Sequence, residues 1–428
     1  MVQRRSFLKQ VGGTAAALSL VPFFNAAYGK SLQREIQKIS HLDAEQAALD
    51  ENFWKFIQSS YSVSANITNL NNGGVSPQPT VVQDAFVRFN ELCNEAPSYY
   101  MWRVLDMGRE TIRENLAKLA GCDAEEIAIN RNSTEALETI IFGLNLKAGD
   151  EVVVSKYDYP NMLNSWKQRV KRDGIVVKYA ELEMPMEDDK EIVKRYTDQI
   201  TSRTRIVHVT QVVNWTGQIL PVKKITQAAH KKGAEVIVDG AHAYAHIDFS
   251  LRDIGCDYFG TSLHKWLCAP FGTGFMFIKK DKIPAMWTLF SNEDPNSGDI
   301  RKFEFLGTRS FPAEQAIGNA LKFHDMVGTT RKEARLQYLK NYWVNQVRDL
   351  PKLKLHTSQL PQYSCAIATF SVEGKTGREV NQYLFSNYKI HCTPIEKEVV
   401  DGVRVTPHIY TTLPELDRLV RAIRELAS

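Results

Sequence analysis

Four short segments of the chain carry polar side chains of types that could do chemistry. They are Asn132-Ser133-Thr134-Glu135, Val238-Asp239-Gly240-Ala241-His242, Thr261-Ser262-Leu263-His264-Lys265-Trp266 and Leu306-Gly307-Thr308-Arg309. A lysine amine is a nucleophile toward carbonyl groups, and hydroxyls at a helix N-terminus bind anions. Taken alone, each segment also has an ordinary explanation, because Ser133 suits a helix cap, Asp239 a turn and Lys265 an exposed surface.

The elements that must position these side chains alternate between short apolar strands and helices over residues 76–310. Strands are predicted at Ile127–Asn130, Glu151–Val154, Ile175–Tyr179, Arg205–Val213, Glu235–Asp239 and Gly274–Ile278. This alternation predicts an α/β fold with a mostly parallel sheet covered on both faces. Ligands of such sheets bind beyond the carboxyl ends of the strands, which is where several of the polar residues fall.

The spacing of apolar residues predicts the helices and the division of the chain. Helices are predicted at Thr80–Phe89, Gly108–Leu119, Ser133–Asn145, Lys224–Lys232, Ala313–Asp349, Thr376–Tyr388 and Glu415–Ala427, with a strand at Tyr363–Val372. We therefore expect an N-terminal arm at 30–75, a large domain at 76–310 and a smaller C-terminal α/β domain at 311–428.

Composition excludes several classes of protein. The 428 residues include 53 Lys and Arg against 49 Asp and Glu, a net charge of +4, with 43% hydrophobic and 24% charged residues. These values are typical of a soluble globular protein and argue against a disordered or multi-span membrane protein. Proteins that bind nucleic acids usually carry a strong excess of basic residues. Because the net charge here is small, we expect no nucleic-acid partner. The six cysteines are scattered without a C-x-x-C pair, which argues against a metal site and leaves a single disulfide open.

Residues 1–29 differ from the rest of the chain. A basic start is followed by a short apolar run and small residues, which is the pattern of a bacterial export signal. The string Arg4-Arg5-Ser6-Phe7-Leu8-Lys9 resembles a twin-arginine signal, although Gln3 stands where Ser or Thr is usual. The resemblance implies the twin-arginine machinery as a partner, a periplasmic location and removal of the signal near Gly29. An uncleaved membrane anchor is the alternative.

The combination of Asp239 after an apolar strand and Ser262-Leu263-His264-Lys265-Trp266 after the next strand resembles the pyridoxal-phosphate enzymes of the class V aminotransferase family. The resemblance covers roughly residues 70–428. The opening string Asn69-Leu70-Asn71-Asn72-Gly73-Gly74 is most similar to the isopenicillin N epimerase branch. The resemblance to the family implies the fold of type I pyridoxal-phosphate enzymes. It also implies pyridoxal 5'-phosphate as the cofactor and an amino acid as the small-molecule substrate.

The resemblance also implies roles for individual residues. Lys265 would form the Schiff base with the cofactor aldehyde and then shuttle the Cα proton, and Asp239 would pair with the pyridinium nitrogen. Several residues would bind the cofactor phosphate, namely Ser133, Thr134, Ser262 and His264. Thr308 would reach the phosphate of a neighbouring subunit, which implies a homodimer with shared active sites.

Four further residues match family positions around the ring and the substrate. Tyr159 would stack on the pyridine ring, His242 would lie beside it, and Asn214 would lie near its hydroxyl. Arg404 would bind the substrate carboxylate through two parallel hydrogen bonds. A metal site formed by His242 and His246 is the less favoured alternative, because the HExxH pattern is absent.

The cofactor leaves the reaction and the substrate open. Return of the Cα proton to the opposite face gives an epimerase, return to the cofactor gives an aminotransferase, and loss of a β-substituent gives a lyase. A cysteine desulfurase would need a nucleophilic cysteine on a mobile loop, and Cys392 lacks the expected neighbours. We therefore favour epimerase or aminotransferase chemistry, with a β-lyase or desulfurase next and a non-catalytic periplasmic binding protein last.

Overall fold

The computed structural model describes residues 26–428, with side chains from Tyr28 onward. The predicted export signal, including Arg4 and Arg5, lies outside the described residues. Within the described part, no helix has both the length and the apolar character needed to cross a membrane. Helix α1 (Ala26–Lys38) contains Gly29, and the ring of Tyr28 stacks on Phe56 at 5.8 Å. A cut at Gly29 would fall inside this helix, and the cleavage site stays a prediction.

A seven-stranded sheet forms the centre of the molecule, with the strand order β2-β8-β7-β6-β5-β3-β4. Strand β8 runs in the direction opposite to that of the other six strands. The strands are β2 (Ile127–Asn130), β3 (Glu151–Ser155), β4 (Val176–Ala180), β5 (Thr204–Thr210), β6 (Glu235–Asp239), β7 (Tyr258–Ser262) and β8 (Gly274–Ile278). Strands β3, β7 and β8 are buried along their whole length, and β2, β5 and β6 at all but one residue, as expected for strands covered by helices on both faces.

Helices pack on both faces of this sheet and at its edges. They are α2 (Ala44–Ala48), α3 (Glu51–Gln58), α4 (Thr80–Glu95), α5 (Asp106–Ala120), α6 (Ser133–Gly143), α7 (Pro160–Asp173), α8 (Asp189–Thr197), α9 (Val222–Lys231), α10 (Leu251–Ile254), α11 (Phe311–Val327) and α12 (Thr329–Val347). A π-helical turn, Tyr100–Leu105, leads into α5. The side chain of Asn132 caps α6 by accepting from the Glu135 amide, which fixes where this helix begins.

The C-terminal part forms a second, antiparallel sheet with the order β12-β13-β10-β9. Its strands are β9 (Leu353–Leu355), β10 (Ala368–Val372), β12 (Thr393–Lys397) and β13 (Val400–Val405), and helices α13 (Gly377–Tyr388) and α14 (Leu413–Ala427) cover it. A separate parallel pair joins β1 (Thr68–Asn69) to β11 (Ile390–His391). This pairing connects the last part of the N-terminal arm to the strand that precedes β12.

Several element bounds differ from the sequence prediction, and the helix and the strand predicted after residue 310 illustrate this. The single helix predicted over Ala313–Asp349 is two helices, because Gly328 adopts a φ of 88° between α11 and α12. The strand predicted from Tyr363 begins only at Ala368. The N-terminal arm packs into the main core through Phe53, Trp54 and Ile57, which are 2%, 0% and 0% exposed. The domain limits at 75 and 310 stay predictions.

Candidate active site

The carboxyl ends of two neighbouring strands bring the main candidates together. Strands β6 and β7 are parallel and adjacent, with Asp239 opposite Gly260, so Asp239 and Ser262 leave the same edge of the sheet. The chain continues from Ser262 through His264 to Lys265. The loop after β6 carries His242 back toward this lysine, and its Nε2 atom lies 3.3 Å from Lys265 Nζ. The strand order thus assembles the predicted set from two separate segments.

Lys265 has the electrostatic setting of a reactive amine. Burial lowers its pKa to about 8, the Asp239 carboxylate opposes that change, and the Arg404 cation adds to it. A pKa near 8 leaves a useful fraction of neutral amine at mildly alkaline pH. Lys265 can therefore act as a nucleophile and as a carrier of protons.

Asp239 is a buried carboxylate with room for a further partner. It is 3% exposed, and its Oδ1 accepts a hydrogen bond of 2.9 Å from the Ala241 amide. Burial raises its pKa, while the Ala241 amide and the Lys265 charge lower it. A buried carboxyl is stabilised by a cationic partner, which is what a protonated pyridine nitrogen would provide.

The N-terminus of α6 and the end of β7 form a site suited to an anion. The Ser262 hydroxyl accepts from the Ser133 amide at 2.9 Å and contacts the Ser133 hydroxyl at 3.0 Å. Thr134 follows in the first turn of the same helix. Nδ1 of His264 lies 3.2 Å from the Thr273 carbonyl oxygen, which orients the ring. Hydroxyls gathered at the N-terminus of a helix suit a phosphate group.

Arg404 comes from β13 of the second sheet. Its guanidinium donates to the Asn214 carbonyl oxygen at 3.1 Å and to Asn71 Oδ1 at 2.9 Å. Its Nε and the side-chain oxygen of Asn214 are buried without a hydrogen-bond partner among the described residues. Burial lowers the pKa of Arg404 to about 10. This cation therefore has donor capacity left for an anionic ligand.

A glycine shows that Arg404 and His242 line one space. A Cβ atom added at Gly73 would lie 3.4 Å from the Arg404 guanidinium carbon and 3.4 Å from His242 Cε1. The last residues of the N-terminal arm therefore form a wall of the site. Sequence reasoning used this segment only for its family likeness and missed Asn71 and Gly73 as site residues, for which their spacing offered no signal.

Two predicted residues lie at the edge of the site or away from it. Tyr159 directly precedes α7 and is 40% exposed. Thr308 is exposed in the loop before α11 and makes no hydrogen bond to the other predicted site residues. Its position fits a residue that serves another subunit, and that role stays a prediction.

The sequence analysis left two further alternatives, a metal site at His242 and His246 and a disulfide. His246 is held by two main-chain groups, since its Nε2 accepts from the Ala366 amide at 3.0 Å and its Nδ1 lies 2.7 Å from the His242 carbonyl oxygen. It therefore forms no metal pair with His242. All six cysteines are free thiols in this structure.

A buried acid, Asp158, also escaped the sequence prediction. It accepts hydrogen bonds from the Ser155 amide at 2.7 Å and the Thr210 hydroxyl at 2.7 Å. Burial raises its pKa to about 7, and the Asp239 charge acts in the same direction. Asp158 thus links the ends of β3 and β5 beneath Asp239. A lone Asp in a predicted turn carried no signal of such burial.

The residues fit the cofactor that the resemblance implies. A buried carboxylate, a lysine of lowered pKa and an anion site lie at one sheet edge, and buried atoms of Asn214 and Arg404 have no hydrogen-bond partner among the described residues. Pyridoxal 5'-phosphate needs a partner for its ring nitrogen, an amine for its aldehyde and donors for its phosphate. Each need has a side chain of the matching type here.

Comparison with known proteins agrees with this assignment. The model of the family described as aminotransferase class-V matches residues 68–419. The chain is 28% identical to the isopenicillin N epimerase of Amycolatopsis lactamdurans over 87% of this chain and 98% of that protein. It is 25% identical to a probable cysteine desulfurase of Synechocystis over 83% of this chain and 90% of that protein.

Among solved structures, the chain is similar to the cysteine desulfurase CsdA from Escherichia coli. The TM-score is 0.77 at 21% identity, over 87% of this chain and 98% of that one. At this identity the likeness concerns the fold. It confirms the predicted α/β class with its mostly parallel central sheet.

Proposed function

The chain belongs to the aminotransferase class-V family, whose cofactor is pyridoxal 5'-phosphate, and from this premise we propose that it acts at the Cα of an amino acid. The favoured chemistry is that of an epimerase or an aminotransferase, similar to isopenicillin N epimerase. The observation that carries the proposal is Lys265, with its lowered pKa, set between Asp239, His242 and Arg404.

The bound cofactor makes the Cα–H bond of an amino acid acidic. Lys265 holds the cofactor through its amine and afterwards takes up the Cα proton. Asp239 keeps the ring nitrogen protonated, and the hydroxyls of Ser133 and Ser262 hold the phosphate beside the α6 N-terminus. Where the proton returns decides between inversion at Cα and transamination.

Arg404 is the proposed site for the substrate carboxylate. Its planar guanidinium can form two parallel hydrogen bonds, and its two existing contacts fix its orientation. Because Arg404 and His242 line one space beside Gly73, a substrate bound there lies next to the lysine. An amino acid is therefore the proposed substrate class.

A β-lyase or desulfurase is the second candidate, because relatives with that printed name also cover most of the chain. The cysteines argue against it. Cys392, the candidate nucleophile, is 2% exposed, and burial raises its pKa to about 12. A thiol that stays protonated and buried is a poor nucleophile. This argument does not apply to a lyase that needs no protein thiol. The product analysis described below distinguishes such a lyase from an epimerase or an aminotransferase.

Absorbance and proton exchange together test the proposal. We expect the full chain with pyridoxal 5'-phosphate to show a yellow absorbance band that borohydride bleaches, and Lys265→Ala to lack it. Lys224→Ala, an exposed lysine on α9, is the control and keeps the band. A colourless protein in the presence of the cofactor would contradict the proposal.

Incubation of the loaded enzyme with amino acids in deuterated water then separates the reactions. Deuterium at Cα with inversion indicates an epimerase, and a keto acid indicates an aminotransferase. Release of pyruvate, ammonia and the β-substituent indicates a β-lyase, and conversion of cysteine to alanine with release of its sulfur indicates a desulfurase. Absence of all these products over a full set of amino acids would favour a binding protein on this fold.

Two further proposals follow the sequence predictions. We propose export to the periplasm, supported by the arginine pair at Arg4 and Arg5, and a homodimer, supported by the exposed position of Thr308. Replacement of both arginines by lysine should remove the protein from the periplasmic fraction. Unchanged periplasmic protein would exclude the twin-arginine route.

A further inference from the structure

We propose that Trp266 is a positioning residue that sets the tautomer of His242 and thereby favours the neutral amine of Lys265. The inference rests on the proposed function only in giving Lys265 its role as the residue that holds the cofactor. Sequence analysis noted Trp266 as the end of the lysine motif and assigned it no task. The argument follows the hydrogen bonds outward from two main-chain groups to the lysine.

The first step concerns His246, whose protonation the main chain determines. Its Nε2 accepts a hydrogen bond from the Ala366 amide, so that nitrogen carries no proton. The proton of the neutral ring is then on Nδ1, which donates to the His242 carbonyl oxygen at 2.7 Å. Burial lowers the pKa of His246 to about 3, in agreement with a neutral ring. His246 is thus a fixed, uncharged platform.

The second step concerns the position of the Trp266 ring. Trp266 is fully buried at 0% exposure, and its ring lies parallel to that of His246 at 3.8 Å between centroids. The ring of His408 also stacks with that of Trp266, at 5.7 Å between centroids and an angle of 15° between the planes. The ammonium of Lys332 donates to the Trp266 carbonyl oxygen. Stacking and the main-chain contact together fix the direction of the indole N–H.

The third step is the hydrogen bond from Trp266 to His242. The indole Nε1 lies 3.3 Å from His242 Nδ1, and an indole N–H can only donate. His242 Nδ1 must therefore be the acceptor and carry no proton. Burial and the neighbouring Lys265 charge hold the pKa of His242 well below its usual range, so the ring is neutral with its proton on Nε2.

The fourth step is the contact between His242 and Lys265. The protonated Nε2 of His242 lies 3.3 Å from Lys265 Nζ. An ammonium group has three donors and no acceptor, so a charged Lys265 would set two donors against each other. A neutral amine offers a lone pair and accepts the hydrogen bond. The chain of contacts from Trp266 therefore favours the neutral form of Lys265.

Other charged groups act on the same amine. Asp239 at the end of β6 favours the ammonium form, and Arg404 on β13 disfavours it. His264, the preceding residue, is kept neutral by burial, which lowers its pKa to about 4. His242 is itself approached by Arg404 and His246 as well as by Lys265. The hydrogen bond from Trp266 to His242 acts on Lys265 in addition to these charges. A substitution at position 266 removes this hydrogen bond and leaves the charged groups in place.

The experiment measures the titration of Lys265 in the full chain after removal of the cofactor. Trace acylation with an amine reagent at a series of pH values, read by mass spectrometry of the Lys265 peptide, reports the neutral fraction without any turnover. For the wild type we expect a midpoint at about 8. Replacement of Trp266 by β-(3-benzothienyl)alanine keeps the two-ring shape and removes the N–H. We expect its midpoint to move up by about one pH unit, which is about tenfold slower labelling below the midpoint.

The chain offers a matched control. Trp166 donates from Nε1 to His208 Nδ1 at the same distance of 3.3 Å, and Lys265 is not among the groups acting on that histidine. The same replacement at Trp166 should leave the Lys265 midpoint unchanged. An unshifted midpoint in the Trp266 analogue, or an equal shift in both analogues, would overturn the proposal.

A second measurement needs no substitution at Trp266 and so stands if that analogue does not fold. Spectra of ¹⁵N-histidine-labelled wild type, with His242 assigned through His242→Gln, should show the His242 proton on Nε2. A proton on Nδ1 would overturn the proposal. Failure of the wild type to bind the cofactor would contradict the proposed function, yet would leave both of these readouts intact. The two hypotheses can therefore fail separately.

Discussion

At the scale of single residues, the site works by setting charges against burial. Burial alone would neutralise both Lys265 and Asp239, since it lowers the pKa of the amine and raises that of the carboxyl. The Asp239 carboxylate raises the pKa of Lys265 and the Lys265 ammonium lowers that of Asp239, so each group favours the charged form of the other. Arg404 adds a third charge that disfavours the ammonium form of Lys265. The result is an amine that titrates near neutrality beside a carboxylate still able to pair with a cation.

The charge on Asp239 should therefore control the titration of Lys265 with a definite sign. The carboxylate favours the ammonium form, so its removal in Asp239→Asn should move the midpoint of Lys265 acylation below about 8. The direction is opposite to that expected for the Trp266 analogue. Measurement of acylation against pH in the cofactor-free protein checks it. A midpoint that moves upward in Asp239→Asn would show that the carboxylate does not favour the ammonium form of Lys265.

Arg404 should discriminate through geometry as well as charge. Arg404→Lys keeps the cation and loses the planar fork, so we expect KM for the amino acid to rise about tenfold or more, with a smaller change in kcat. The absorbance of the bound cofactor serves as the control and should stay unchanged. Equal loss in KM and in cofactor absorbance would mean that Arg404 supports the whole pocket instead.

At the scale of elements, the site depends on how the turn after β5 meets the second sheet. Gly217 has a φ of 75° and packs so closely that an added Cβ would lie 2.2 Å from the Ile367 carbonyl oxygen. The same turn presents the Asn214 carbonyl oxygen to Arg404. Close packing at Gly217 thus holds one wall of the substrate site against β10 and β13.

Two glycines of similar conformation allow this packing to be measured. Gly233 has a φ of 81° and open space around its Cα, so Gly233→Ala should cost about 1 kcal/mol from backbone conformation alone. Gly217→Ala adds a clash with main chain and should cost about 2 kcal/mol more. Urea unfolding of both variants gives the two free energies. Equal losses would show that the Ile367 contact yields without cost.

At the scale of the whole molecule, several exposed apolar side chains lie near segments that belong to the site. Phe271 follows the lysine motif and is 61% exposed, while Phe305 precedes Thr308 and is 57% exposed. Large apolar side chains left in water are typical of surfaces that bind another protein. Their location supports the proposed homodimer, in which Thr308 would reach the partner's phosphate site.

The homodimer can be tested through one of these side chains. We expect the full chain to sediment as a dimer, and Phe305→Asp to shift it toward monomer and weaken cofactor binding. Phe385→Asp is a matched control, because Phe385 is 42% exposed on α13, in the small C-terminal part of the chain. Sedimentation velocity and an absorbance titration with the cofactor provide the readouts. A monomeric wild type that binds the cofactor tightly would exclude shared sites.

The sequence by itself determined the class of fold, the cofactor and the short-range parts of the site. The bounds of β2, β6 and β8 were predicted to the residue, because strands buried on both faces are short continuous apolar runs whatever their direction. The lysine and aspartate motifs are local strings, so their likeness to a family was visible without coordinates. The break at Gly328 was missed because a glycine within an apolar pattern can either continue or end a helix.

Only the tertiary structure decided which distant residues meet. Arg404 binds Asn214, 190 positions away, and Asn71, 333 positions away. The indole of Trp266 reaches His242 across the gap between two strand ends. Such contacts depend on which strands are neighbours and how two sheets pack, and no spacing along the chain encodes them. The pKa of Lys265 is of the same kind, because burial and opposing charges exist only once the chain has folded.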